Sequence, residues 1–249
     1  MSLAYNIKHQ ISIYDRKGVE ERYEGGSWQY TAFSEIAERL DSVHRPFPCV
    51  FGTSGFRTDQ LRYFFIDELD YRAVASALRD YLKDARSFGQ NTSLIVMLKT
   101  EEVRSMEEYY HIFWKLLDNL VTLDDQQWPG HVPTDVEDPY WEFCFAGEPI
   151  FVVCTTPAHI RRQSRRSTHV TFLFQPRWVF QGILGTKEKA ERAFTTVRSL
   201  LKKYDVEPLS PYLGKYGDPN NYENKQYFLD DSNKDMGCPF QKLGQNYCD

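Results

Sequence analysis

The sequence predicts an α+β fold: a mixed or antiparallel sheet with about four main helices in a single compact domain. Three observations predict it. The run "SLIVMLK", Ser93 to Lys99, is continuously apolar over the length of a strand buried on both faces. The later stretch "WEFCFAGEPIFVVCTT" reads as two strands joined by a turn at "AGEP", and "THVTFLF" alternates like a further strand. Four longer segments carry apolar residues at helical spacing.

Taken in order, the first helix is expected over Thr31 to Val43, where Phe33, Ile36, Ala37 and Leu40 share a face. Prolines in "HRPFPCVFGTSGF" end it, and Cys49-Val50-Phe51 reads as a short buried strand entering a glycine-rich turn. A second helix fits "YRAVASALRDYLKDARSF", with Val74, Leu78, Tyr81 and Leu82 on one face, stopping near Gly89. The third starts at a capping box formed by Ser105 and Glu108 and carries a stripe from Met106 to Leu120, which amphipathic logic assigns to the core. A last long helix covers Lys187 to Tyr204. Residues 1–206 are thus expected to form the α+β domain. Residues 207–249, rich in Pro, Gly, Asn and Asp, are expected to form an irregular tail packed on it.

Composition narrows the function classes. A chain of 249 residues with 41% hydrophobic content can bury a substantial core. No apolar run approaches the roughly 20 residues of a membrane-spanning helix, and the N-terminus lacks the features of a secretory signal, so the expected address is the cytoplasm. Five cysteines, an odd number with no C-x-x-C pair, are expected to be reduced thiols. A net charge of −5 argues against general nucleic-acid or membrane-surface binding, so any basic feature must be local.

One such feature stands out. Arg161, Arg162, Arg165 and Arg166 follow His159 directly, and no Asp or Glu occurs between Glu148 and Glu188, while Arg177 and Lys187 lie in the same window. Guanidinium groups match carboxylate and phosphate oxygens bidentately, so an anion is the expected partner unless distant acidic residues fold back onto the loop. Like charge around His159 disfavours its imidazolium form and leaves a neutral imidazole able to bind a metal. One imidazole beside several arginines is a workable haem arrangement, with iron on the imidazole and arginines on the propionates.

These residues also carry a resemblance. "FPCVFG" at Phe47 to Gly52, "AGEPIFVVCTTPAHIRRQSRR" at Ala146 to Arg166, "FQPRWVF" at Phe174 to Phe180 and "CPF" at Cys238 to Phe240 together resemble the YqcI/YcgG family. The resemblance implies haem b and molecular oxygen. Characterised members of that family hydroxylate a nitrogen of arginine or a related guanidino compound in natural-product pathways such as those to cycloserine and guanitoxin. This chain departs from the guanitoxin branch: Thr156 stands at or near a histidine position of that branch, and Arg177 stands where a second histidine would be.

The resemblance makes His159 the expected axial ligand of the iron, with Cys49 as the alternative, because a thiolate is also a haem ligand in oxygen chemistry. Arg161, Arg165 and Arg166 become clamps for propionates or a substrate carboxylate, and Arg177 with Trp178 becomes a border of the same pocket. Glu148 and Asp59 are the candidate partners for a guanidino group. Electrons are expected from an external donor, since no dinucleotide fingerprint follows a strand. The expected function is an O2-using N-oxygenase for an arginine-like small molecule. The alternatives are a non-catalytic haem-binding or gas-sensing protein and a metal-free anion-binding module.

Overall fold

The computed structural model of the chain describes residues 12–183, 186–214, 218 and 220–237. In chain order, α1 (Arg16–Arg22), α2 (Trp28–Asp41) and α3 (Val50–Arg57) precede β1 (Leu61–Ile66). α4 (Tyr71–Phe88), β2 (Ser93–Leu98) and α5 (Met106–Thr122) follow, then the hairpin β3 (Cys144–Phe145) and β4 (Glu148–Thr155). A single 3-10 turn, Gln163–Arg165, leads to β5 (Val170–Pro176), after which come α6 (Trp178–Ile183), α7 (Lys187–Tyr204) and α8 (Asn224–Tyr227). The five strands form one sheet in the order β1-β2-β5-β4-β3. β1 and β2 run parallel, as their crossover through α4 requires, and every other pair is antiparallel. The fold is therefore mixed, with a five-stranded sheet and, among the described residues, four long helices accompanied by four short ones.

Local chemistry explains most boundaries. Asp70 caps α4 through the N–H groups of Arg72 and Ala73, and Gly89 at φ +126° ends it. The Ser105–Glu108 capping box opens α5. Ala146 and Gly147, both at positive φ, make the two-residue β3–β4 turn. The expected first helix begins three residues earlier, because Ser27 caps it by accepting from the Tyr30 N–H.

One reading needs correction, and one strand gave no sequence signal. Cys49-Val50-Phe51 is no strand: Cys49 is the N-cap of α3, its Sγ accepting from the Gly52 N–H at 3.3 Å. Glycines at 52 and 55 weaken the helical signal, yet Gly55 is required there, since a Cβ would sit 2.2 Å from the Asn91 carbonyl oxygen. The strand β1 carries no polar-apolar alternation, and Arg62 interrupts its apolar run. The Arg62 guanidinium lies over the Phe88 ring at 4.0 Å instead of occupying the core.

The sheet has one filled face and one divided face. On the filled face Ile150, Val152 and Cys154 of β4, Phe172 and Phe174 of β5, and Leu94 and Val96 of β2 pack against α4 and α5. On the other face α1, α2 and α3 cover chiefly β1 and β2, through Val19, Phe33, Leu40 and Phe56, with Leu173 of β5 at the margin of that cluster. Tyr227 and Phe228 of the C-terminal segment are buried in the larger core. The second face of β4 and β5 is left for something else.

Candidate active site

That uncovered half-face borders a cavity of about 310 Å³, within the roughly 300–1,000 Å³ range of small-molecule sites. Its floor is Phe151, Val153 and Thr155 of β4 with Thr171, Leu173 and Gln175 of β5. Burial alternates along β4: Ile150, Val152 and Cys154 are fully buried, while Phe151, Val153 and Thr155 are only half-buried. The opposite wall is α7, whose Ala193, Phe194, Val197 and Leu201 line the cavity and are likewise half-buried. An amphipathic helix normally buries its apolar stripe; this one directs it at open space.

Cys49 lies on the cavity wall between Pro48 and Phe51. Burial pushes its thiol up, while the N–H groups of Gly52 and Phe51 and the Arg165 guanidinium pull the other way. Gly52 leaves the sulfur uncrowded, since a Cβ there would lie 3.3 Å from it. Cys144 and Cys154 are also free thiols, both buried, and Cys238 and Cys248 lie outside the described residues.

The arginines divide sharply. Asp231 accepts from the backbone N–H groups of Ile160, Arg161 and Arg162 at 2.6–2.8 Å. Burial pushes Asp231 up, but these three donors outweigh it and hold the carboxyl below its usual range. Arg161 is exposed and pairs with Glu207 at 2.8 Å. Arg162, 1% exposed, donates to the Asp230 carbonyl and Asn233 and lies 4.0 Å from Asp205. Acidic residues from the C-terminal segment thus fold back onto the loop, as one of the two sequence readings allowed. Arg166 is exposed and does not line the cavity.

Arg165 is different. It is buried on the cavity wall and, among the described residues, donates only to the carbonyls of Gln226 and Tyr227, at 3.0 and 3.2 Å. Among the described residues no carboxylate lies within ion-pair distance of it. Burial and neighbouring Arg162 lower its pKa to about 10, so it stays cationic at neutral pH. It is a buried positive charge facing an apolar cavity.

Arg177 also reaches the cavity but is already engaged, its Nε donating to Glu142 at 2.6 Å and its Nη2 to Glu223. Burial disfavours its charge, yet the two glutamates more than compensate and raise its pKa. Glu223, on the same wall, is pushed up to about 7. Burial is the main cause, and Glu142 opposes the pull of Arg177 on it. Trp178 lies outside the cavity lining, with Arg86 over its ring at 4.7 Å.

His159 is fully buried away from the cavity. Its Nε2 lies 2.8 Å from the Leu229 carbonyl, which only accepts, so Nε2 carries the proton; Nδ1 then accepts from the Thr156 hydroxyl at 2.8 Å. Burial lowers its pKa to about 4, leaving it neutral. Both nitrogens are committed, and in this arrangement His159 has no lone pair to offer a metal. Glu148 pairs with Arg86 at 3.5 Å and Asp59 accepts from the Arg16 N–H; neither lines the cavity. Glu223 was invisible to sequence reasoning because it sits in a segment without periodicity. Among the described residues no group of three or more His, Cys, Asp or Glu could hold a metal ion, and no helix is long and apolar enough to cross a membrane.

The chain belongs to the YqcI/YcgG family, whose family model matches residues 36–241. It is 41% identical to YcgG of Bacillus subtilis over 87% of this chain and 89% of the relative. It is 37% identical to YqcI of the same organism over 92% and 93%. Both relatives are named as uncharacterised proteins. It is also 30% identical, over 87% of this chain and 85% of the relative, to DcsA of Streptomyces lavendulae, provisionally named N(omega)-hydroxy-L-arginine synthase. No solved structure matches the chain.

Proposed function

We propose that the protein is a haem-dependent, O2-using N-oxygenase acting on a guanidino or amino nitrogen of arginine or a related small metabolite. The observation that carries this reading is the apolar cavity with a helix-capping cysteine on one wall and a carboxylate-free, buried arginine on another. The name of the DcsA relative supports the substrate class. A porphyrin iron needs one protein ligand rather than a cluster, so a lone cysteine on an apolar wall suits it.

The donor chemistry fits haem b. Cys49 would hold the iron: a thiol unfavourable as a free buried anion is stabilised as a metal-bound thiolate, and the Gly52 N–H already points at its sulfur. Arg165 would take a propionate or the substrate carboxylate in a charge-assisted pair. Phe151, Val153, Leu173, Phe194 and Val197 exclude water from the same space. When bound, haem supplies the activation of dioxygen. The overall reaction puts one oxygen atom into an N–H bond and releases the other as water, which consumes two electrons and two protons. An external electron donor is therefore part of the proposal.

The test is turnover. Haem-loaded protein supplied with a reductant and O2 is offered L-arginine and a panel of guanidines and amines, and products are read by mass spectrometry. A product heavier by one oxygen atom, absent without O2, supports the enzyme. A haem-loaded protein that converts none of the panel would leave a haem-binding protein without turnover.

A further inference from the structure

The acidic pair around Arg177 is the buried feature that haem binding does not use. Glu142 meets the guanidinium from the segment before β3, Glu223 from the turn into α8, and the Tyr227 hydroxyl shares its one proton between the Ile150 carbonyl at 3.2 Å and the same Glu223 Oε1 at 3.3 Å. These are the charged and titratable groups packed against Glu223 among the described residues. Among the described residues Oε2 of Glu223 takes no hydrogen bond, and the residue lies on the cavity wall. Two carboxylates sharing one guanidinium leave a negative charge uncompensated within this group. An oxygen without a protein donor on the wall of a cavity is free to accept one from a molecule that enters it, and a charge-assisted bond there is the strong kind.

We propose that Glu223 determines the specificity of the cavity, its second carboxylate oxygen receiving the cationic guanidinium or ammonium head of a small substrate and rejecting neutral isosteres. The inference rests on reading the cavity as a site for an arginine-like substrate and adds the residue that recognises its charge. A cation there completes the Glu142–Arg177–Glu223 cluster, whereas a neutral group of the same shape leaves it short of one positive charge. Such unpaired buried groups are what give polar sites their discrimination. Protonation competes with the cation for the same oxygen, so binding weakens as pH falls through about 7.

The experiment is isothermal titration calorimetry of the full-length chain, as purified and after haem loading, with L-arginine and its neutral isostere L-citrulline. Wild type, Glu223→Gln and Glu223→Asp are compared at pH 6 and pH 8. Wild type should prefer arginine, with affinity about tenfold weaker at pH 6 than at pH 8, as a group titrating near 7 requires. Glu223→Gln, which leaves the Arg177–Glu142 pair in place, should weaken arginine binding at pH 8 at least tenfold, erase the preference over citrulline and flatten the pH dependence. Glu223→Asp, which keeps the charge, should retain the preference. Arginine bound by Glu223→Gln with wild-type affinity and preference overturns the inference alone, as does equal loss in both variants, which assigns Glu223 a purely structural role. Failure of wild type to bind either compound in either form overturns this inference together with the arginine-like reading.

Discussion

Arg177 shows what a single buried side chain holds together. Replacing it by methionine would strand Glu142 and Glu223, two carboxylates that are each about 5% exposed or less. Breaking a buried ion pair by removing one partner costs about 3–5 kcal/mol, and urea unfolding of Arg177→Met should show a loss of that size at pH 7 and a smaller one at pH 5, where Glu223 is protonated. His159 gives a second test. Its pKa is depressed to about 4 from an ordinary 6.5, so its contribution to stability is complete above 6.5 and is lost as pH falls towards 4. The stability difference between wild type and His159→Gln should therefore shrink from pH 7 to pH 4.5; a constant difference would contradict the buried neutral imidazole. The sequence made the arginine excess legible, because charge is local and countable. Which arginines are neutralised was not legible, since Asp205, Glu207 and Asp231 lie about 40 to 70 positions downstream of the residues they hold.

At the scale of elements, β4 carries the clearest consequence of the cavity. Ile150 is fully buried against the α4–α5 side, whereas Val153 faces the cavity and has room around it. Ile150→Ala should cost about 2–5 kcal/mol, and Val153→Ala about 1 kcal/mol or less, measured as denaturation midpoints of the haem-free protein. Equal losses would mean that the two faces are equally packed. Gly55→Ala should cost about 1–3 kcal/mol through the contact with the Asn91 carbonyl. Long periodic elements were legible end to end: α4 and α7 follow their apolar stripes, and the capping box fixed the start of α5. Short elements were not. α3 hides behind two glycines, and β1 behind an arginine that lies across a ring at the surface.

For the whole molecule, the proposal depends on one asymmetry: a sheet packed fully on one face and left half open on the other, beneath a helix whose apolar stripe meets a cavity. The individual residues of this site were partly in view, since Cys49, Arg165 and Arg177 all reach the cavity. Their convergence was not, because sequence patterns do not reveal that a half-face lacks a covering element. A ligand that binds only the folded state stabilises it, so haem loading should raise the thermal midpoint of wild type and should do so less for Cys49→Ser. The most direct measurement is the visible spectrum of the protein produced with haem supply, recorded for wild type, Cys49→Ser and His159→Gln. The account predicts a Soret band in wild type that persists in His159→Gln and is lost or shifted in Cys49→Ser; no band in wild type, or a band indifferent to Cys49→Ser, would contradict it.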